Sequence, residues 1–202
     1  MYAEPHQNYI HYPKGALVLY AMSDYIGEDR LNQVIKKYVE KVAFQEERYT
    51  TSIELVDHIQ AATPDSLQYL IQDFFETITL YDNRVLDWTA TPLENGQYQV
   101  DIEFLVRKYR HGGKGKELYS DNGLDSLHYQ LPKEEKVVHS LPLADYIDVG
   151  IFDKTGQELY LQKHKILTIQ NRASMIVDAL PAEVGVDPYF KLIDREMGDN
   201  RK

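Results

Sequence analysis

The sequence predicts an α+β protein, with a helical segment over residues 1–82 followed by an antiparallel β-sandwich over residues 84–180. Three observations predict it. Apolar residues recur at helical spacing through the first half, the spacing changes to alternation near residue 83, and turn-forming residues then cut the second half into short runs. Residues 181–202 are expected as an extended polar tail. The composition suits an ordered chain, since 202 residues with 43% hydrophobic, 27% charged, 11 Gly and 8 Pro can bury a real core.

The run from Ala16 to Met22 is apolar on every face, which predicts a helix buried in something larger. Gly27 supplies the positive φ that ends it, and Glu28 and Asp29 suit the first turn of a second helix. In that helix Leu31, Val34, Ile35, Tyr38, Val39 and Val42 fall on one stripe. Thr51 with Glu54 predicts a capping box for a third helix, and Thr63 followed by Pro64 predicts an N-cap for a fourth. Leu67, Leu70, Ile71, Phe74, Phe75 and Ile78 form the stripe of that last helix. Beyond it Leu86, Trp88 and Ala90 alternate with polar residues, and Asn95-Gly96 signals a hairpin. Tyr98, Val100, Ile102, Phe104 and Val106 then alternate with Gln99, Asp101, Glu103 and Arg107. Further strands are predicted around Ile147 to Ile151, Gln157 to Thr168 and Ser174 to Leu180, for six or seven in all. The stretch from His111 to Leu141 is the least regular and has room for a long loop.

Charge removes several classes of function. With 22 Lys and Arg against 32 Asp and Glu, a net of −10, nucleic acid is not expected as a partner. The excess is concentrated early, because Thr51 to Asn83 contains no Lys or Arg. No apolar run reaches the ~20 residues of a membrane span, and the start lacks the pattern of a secretory leader, so this chain is expected not to insert directly into a membrane. The absence of Cys excludes disulfides, cysteine zinc sites and thiol nucleophiles.

Among motifs, Tyr12-Pro13-Lys14-Gly15-Ala16 stands directly ahead of the all-apolar helix. A phenol with a pKa near ~10 stays protonated at neutral pH and can donate a hydrogen bond to a developing oxyanion. Other groupings read as surface. His6 and His11 lack a third ligand at metal spacing. Arg107, Lys108, Arg110, His111, Lys114 and Lys116, interleaved with Gly112, Gly113 and Gly115, read as a solvated hairpin tip, lacking the spacing of a phosphate loop. The carboxylates of residues 51–83 fall mostly on outward helical faces. Asp121 to Asp125 reads as a turn, without the final Glu of a calcium loop.

Tyr-x-Lys-Gly-Ala leading into an apolar helix, with Ile26-Gly27-Glu28-Asp29 and a helix carrying Leu31 and Tyr38, resembles the segment after the zinc site in aminopeptidase N-type metallopeptidases, the gluzincins. The resemblance covers residues 9–42. It implies that the helical segment is the remainder of a thermolysin-like catalytic domain and the sandwich is immunoglobulin-like. It also implies that Tyr12 stabilises the tetrahedral intermediate of peptide hydrolysis. At the other end Asp187-Pro188-Tyr189, Leu192-Ile193-Asp194-Arg195 and Asp199-Asn200 look like the C-termini of a bacterial subgroup in which such a region follows the membrane helices of an ABC-type permease.

The chain departs from that family in having neither His-Glu-x-x-His nor Gly-x-Met-x-Asn. The expectation is a C-terminal piece of a membrane-bound bacterial zinc peptidase, soluble and inactive alone. It would have no metal ligand or cofactor of its own, with zinc and the peptide substrate held by the parent. Its partners would be the upstream catalytic and membrane portions of the same polypeptide. The rival expectation is a noncatalytic interaction module of a membrane transporter. A carbohydrate-binding sandwich is less favoured, because Trp88 and the alternating tyrosines suit a core.

Overall fold

A computed structural model describes residues 13–111, 117–119, 143–194 and 196–202. The chain divides into two units, Met1–Ile78 and Thr79–Lys202.

The first unit is helical. Its helices are α1 (Gly15–Ile26), α2 (Glu28–Val42), α3 (Ser52–Ala62) and α4 (Tyr69–Ile71), and α4 continues as a π-helical turn, Gln72–Glu76. Gly27, at φ 92°, separates α1 from α2 as expected, and Leu31 N–H bonds back to its carbonyl at 3.0 Å. The core takes Val18, Ala21, Met22 and Ile26 from α1, Leu31 and Val34 from α2, Ile59 from α3 and Leu70, Ile71 and Phe74 from the last helix. Tyr25 meets the Phe74 ring edge-on, with centroids 6.3 Å apart.

Two expected caps are replaced by other bonds. The Thr51 side chain makes no cap bond at α3. The Glu54 carboxylate accepts instead from the Thr50 hydroxyl, which Tyr38 reaches at 2.8 Å. Thr63 closes α3 rather than opening α4, because its hydroxyl donates to the Ile59 carbonyl at 2.8 Å in the interior. A hydroxyl buried beside the preceding turn finds its acceptor there, and Pro64 then begins the next segment.

The second unit is built of two antiparallel sheets, so the whole chain is of mixed helix and sheet. One sheet holds β1 (Ile78–Pro92), β2 (Tyr98–His111), β3 (Glu117–Tyr119) and β6 (Gln170–Val177), with β6 and β3 pairing with successive stretches of β2. The other runs in the order β5 (Glu158–Ile166), β4 (Asp145–Phe152), β7 (Glu183–Val186). Asn95-Gly96 forms the expected hairpin turn, with Gly96 at φ 85°. Val100, Ile102, Phe104, Val106, Val149 and Ile151 are almost wholly buried. From Leu105 to Tyr109 β2 is buried on both faces.

Residues 181–202, expected as an extended tail, are part of this unit. Glu183–Val186 forms β7, and Lys202 exchanges two 3.0 Å backbone bonds with Val184. Among the described residues no helix is long and apolar enough to cross a membrane.

Candidate functional site

Tyr12, the residue the sequence singles out for chemistry, lies outside the described residues, as do His6, His11, Lys114, Lys116 and the turn at Asp121 to Asp125. What is described of its motif is the lysine two positions on. Lys14 is already in helical conformation, and its Nζ donates to the Thr77 carbonyl at 3.2 Å. This bond ties the entry of α1 to the end of the last helix of the unit. Burial pulls the Lys14 pKa below its ordinary value. The helix behind it is anchored by Ala21 and Met22, both with no exposed surface.

His58 and His164 are engaged elsewhere. His58 packs edge-on against Tyr38, with centroids 5.8 Å apart. His164 Nε2 pairs with the Tyr160 hydroxyl at 2.8 Å, and burial lowers the His164 pKa. Among the described residues no three His, Asp or Glu side chains converge as metal ligands.

The basic cluster of the sequence is not a solvated tip at its start. Arg107 and Lys108 are buried, because β2 is covered on both faces there. Lys108 Nζ donates to Asp145 Oδ1 at 3.0 Å across the two sheets, and the Tyr81 hydroxyl donates to Asp145 Oδ2 at 3.3 Å. The expectation of outward carboxylates fails likewise at Asp73 and Asp82, both buried. Asp82 forms a two-pronged pair with Arg84, at 2.5 and 3.1 Å.

The motifs near the C-terminus turn out to hold the interior together. Asp148 Oδ2 accepts from Lys163 and Lys191, each at 2.8 Å. Asp187 accepts the backbone N–H groups of Lys191 and Leu192 at 3.0 and 2.9 Å. Burial pushes the Asp187 pKa up to about 7, against the lowering effect of those two bonds. Asp194 accepts the Asn83 N–H at 2.7 Å and the Glu196 N–H at 2.9 Å, and burial raises its pKa too. Asp148 and Asp145 escaped notice in the sequence, where a lone Asp in an apolar strand gives no sign of its distant cation.

An open groove of about 430 Å³ crosses β1, β2 and β6. Its carboxylates are already engaged. Asp87 lies 3.7 Å from Lys202, Glu103 lies 3.3 Å from Arg172, and Asp101 accepts from Gln99 at 3.0 Å. In comparison with known proteins, the chain matches no family model and no curated sequence.

Proposed function

We propose that the chain is the C-terminal part of an aminopeptidase N-type zinc metallopeptidase, of the bacterial kind joined to permease membrane helices. The helical unit is then the remainder of a thermolysin-like catalytic domain, and the two-sheet unit its immunoglobulin-like sandwich. One observation carries this reading: Tyr12-Pro13-Lys14-Gly15-Ala16 stands at the entry of an apolar helix whose start is tied down through Lys14.

In this reading the Tyr12 hydroxyl donates a hydrogen bond to the oxyanion that develops when water adds to the scissile carbonyl. A neutral phenol suits the role, since it gives a proton into the bond without being deprotonated at working pH. The zinc ligands come from the upstream portion of the polypeptide, and no chemistry of the metal is assigned to the residues described above.

The test uses the longer polypeptide in which this chain follows a His-Glu-x-x-His segment. Hydrolysis of an aminoacyl anilide is measured for the parent and for Tyr12→Phe. Loss of one oxyanion donor should lower kcat by about 10²- to 10³-fold with KM little changed. An unchanged kcat overturns the role of Tyr12, and an upstream sequence without the zinc motif favours the noncatalytic module instead.

A further inference from the structure

Glu94, Asn95 and Gly96 are exposed at the tip of the hairpin between β1 and β2, which the bond from Leu93 N–H to the Gln97 carbonyl closes at 2.8 Å. The Asn95 side chain folds back over this turn. Its Oδ1 accepts the Gln97 N–H at 3.1 Å, and its Nδ2 donates to Gln97 Oε1 at 2.6 Å. A side-chain oxygen bonded to the amide two residues on makes an Asx turn, which brings the side-chain carbonyl carbon over the amide nitrogen enclosed by the ring. That nitrogen belongs to Gly96. A Cβ placed on Gly96 would meet nothing within 4 Å, so the approach is open to solvent.

An amide carbon held against a backbone nitrogen is an electrophile already oriented toward a nucleophile. The Gln97 N–H lies on the oxygen where negative charge develops during attack. One bond stands in the way: Gly96 N–H donates to the Leu93 carbonyl at 3.0 Å, and an exposed tip opens such a bond at small cost. We propose that Asn95 is a deamidation site in the folded protein. Hydroxide takes the Gly96 N–H proton, the nitrogen bonds to Asn95 Cγ, and the Cγ–Nδ2 bond breaks as ammonia leaves with a proton from water. Water then opens the cyclic succinimide, at Cγ to give aspartate or at the backbone carbonyl carbon to give isoaspartate. The balance is one water consumed and one ammonia released. The change reaches past the tip, because Gln97 Nε2 in turn donates to Asp178 Oδ1 at 2.7 Å, just beyond β6. A carboxylate at position 95 has no proton for Gln97 Oε1 and adds negative charge to a chain of bonds that already ends on Asp178. Isoaspartate also lengthens the main chain inside the turn that sets the register of β1 and β2. The inference goes beyond the peptidase reading and does not depend on it.

The full 202-residue chain is incubated folded and, in parallel, unfolded in urea, and the tryptic peptide Val85–Arg107 is followed by liquid chromatography and mass spectrometry. Asn95 is the sole Asn of that peptide, and the second Asn-Gly pair, Asn122-Gly123, falls in a different one and lies outside the described residues. In the folded sample the peptide should gain one mass unit and separate into two products, aspartate and isoaspartate. The rate should rise by about tenfold per pH unit, because the attacking nitrogen must first lose its proton. Asn95→Ser should abolish the gain. Modification in urea with none in the folded chain overturns the proposal, since the turn then protects Asn95. No modification in either sample overturns it too, and an undiminished gain in Asn95→Ser assigns the change to a glutamine instead.

Discussion

A methyl group added at Gly185 would sit 2.8 Å from Pro188 Cβ and 3.3 Å from the Asn200 carbonyl oxygen. Neither neighbour can swing away, since Pro188 is a closed ring in a buried turn and Asn200 bonds to the edge of β7. Gly185→Ala should therefore cost about 1–3 kcal/mol by overpacking, read as a lower urea midpoint. Gly198→Ala is the control, because a Cβ there meets nothing within 4 Å, and its midpoint should stay close to the parent's. Equal midpoints for the two variants would remove the crowding at β7. At this scale the sequence is informative where a residue type has one strong use. Gly27 and Gly96 take the positive φ expected of them, and Asn95-Gly96 forms its turn. It is silent on Gly185, whose reason is a proline three residues ahead and a carbonyl fifteen residues away.

Elements were legible to the extent that periodicity reports one buried face. The stripes of α2 and of the last helix were readable at Leu31, Val34, Leu70, Ile71 and Phe74, and so was the alternation of β2 up to Phe104, but Val39 is 51% exposed and Ile78 opens β1 instead of ending the helix. From Leu105 to Tyr109 the pattern fails, because that stretch of β2 is covered on both sides and a strand with two buried faces has no period to show. Arg107 and Lys108 look solvated in the sequence for the same reason. The candidate residues divide similarly: Tyr12 is proposed from a motif alone, whereas the Lys108–Asp145 pair depends on a pairing over 37 residues that no local pattern carries. Both side chains of that pair are 4% exposed, so removing one takes from the other its opposite charge in a site shielded from water. Asp145→Ala should cost about 3–5 kcal/mol, while the double change Lys108→Met, Asp145→Leu should cost much less, since apolar replacement of a buried pair is often neutral. Urea unfolding of the single and double variants checks this, and a double variant as unstable as the single one would contradict it.

For the molecule as a whole, the charge balance and the buried aspartates act together on its pH dependence. Asp187 titrates at about 7 when folded, against about 4 for a free Asp, and Asp194 and Asp199 are raised as well, in each case chiefly by burial. The groups around Asp187 are the Asp148 carboxylate from β4, which raises it further, and the Lys191 ammonium and two backbone amides from its own turn, which lower it. Lys163 and His164 face the same Asp148 from β5. A folded-state pKa above the unfolded one means that the folded protein holds a proton the unfolded chain has released. The stabilisation is then complete below about pH 4 and is lost as pH rises toward about 7. The net charge of −10 at pH 7 adds repulsion in the same direction. His164 opposes it, because a depressed imidazole pKa favours the folded state above about pH 6.5 and loses that contribution as pH falls. Asp187→Asn separates the terms. It keeps the left-handed backbone at φ 48°, which Asn tolerates, and it keeps a carbonyl oxygen for the turn, but it cannot titrate. Melting temperatures measured from about pH 5 to about pH 8 should fall more steeply for the parent than for Asp187→Asn, with the two curves diverging below about pH 7. Parallel curves through that window would show that Asp187 keeps an ordinary carboxylate pKa inside the fold.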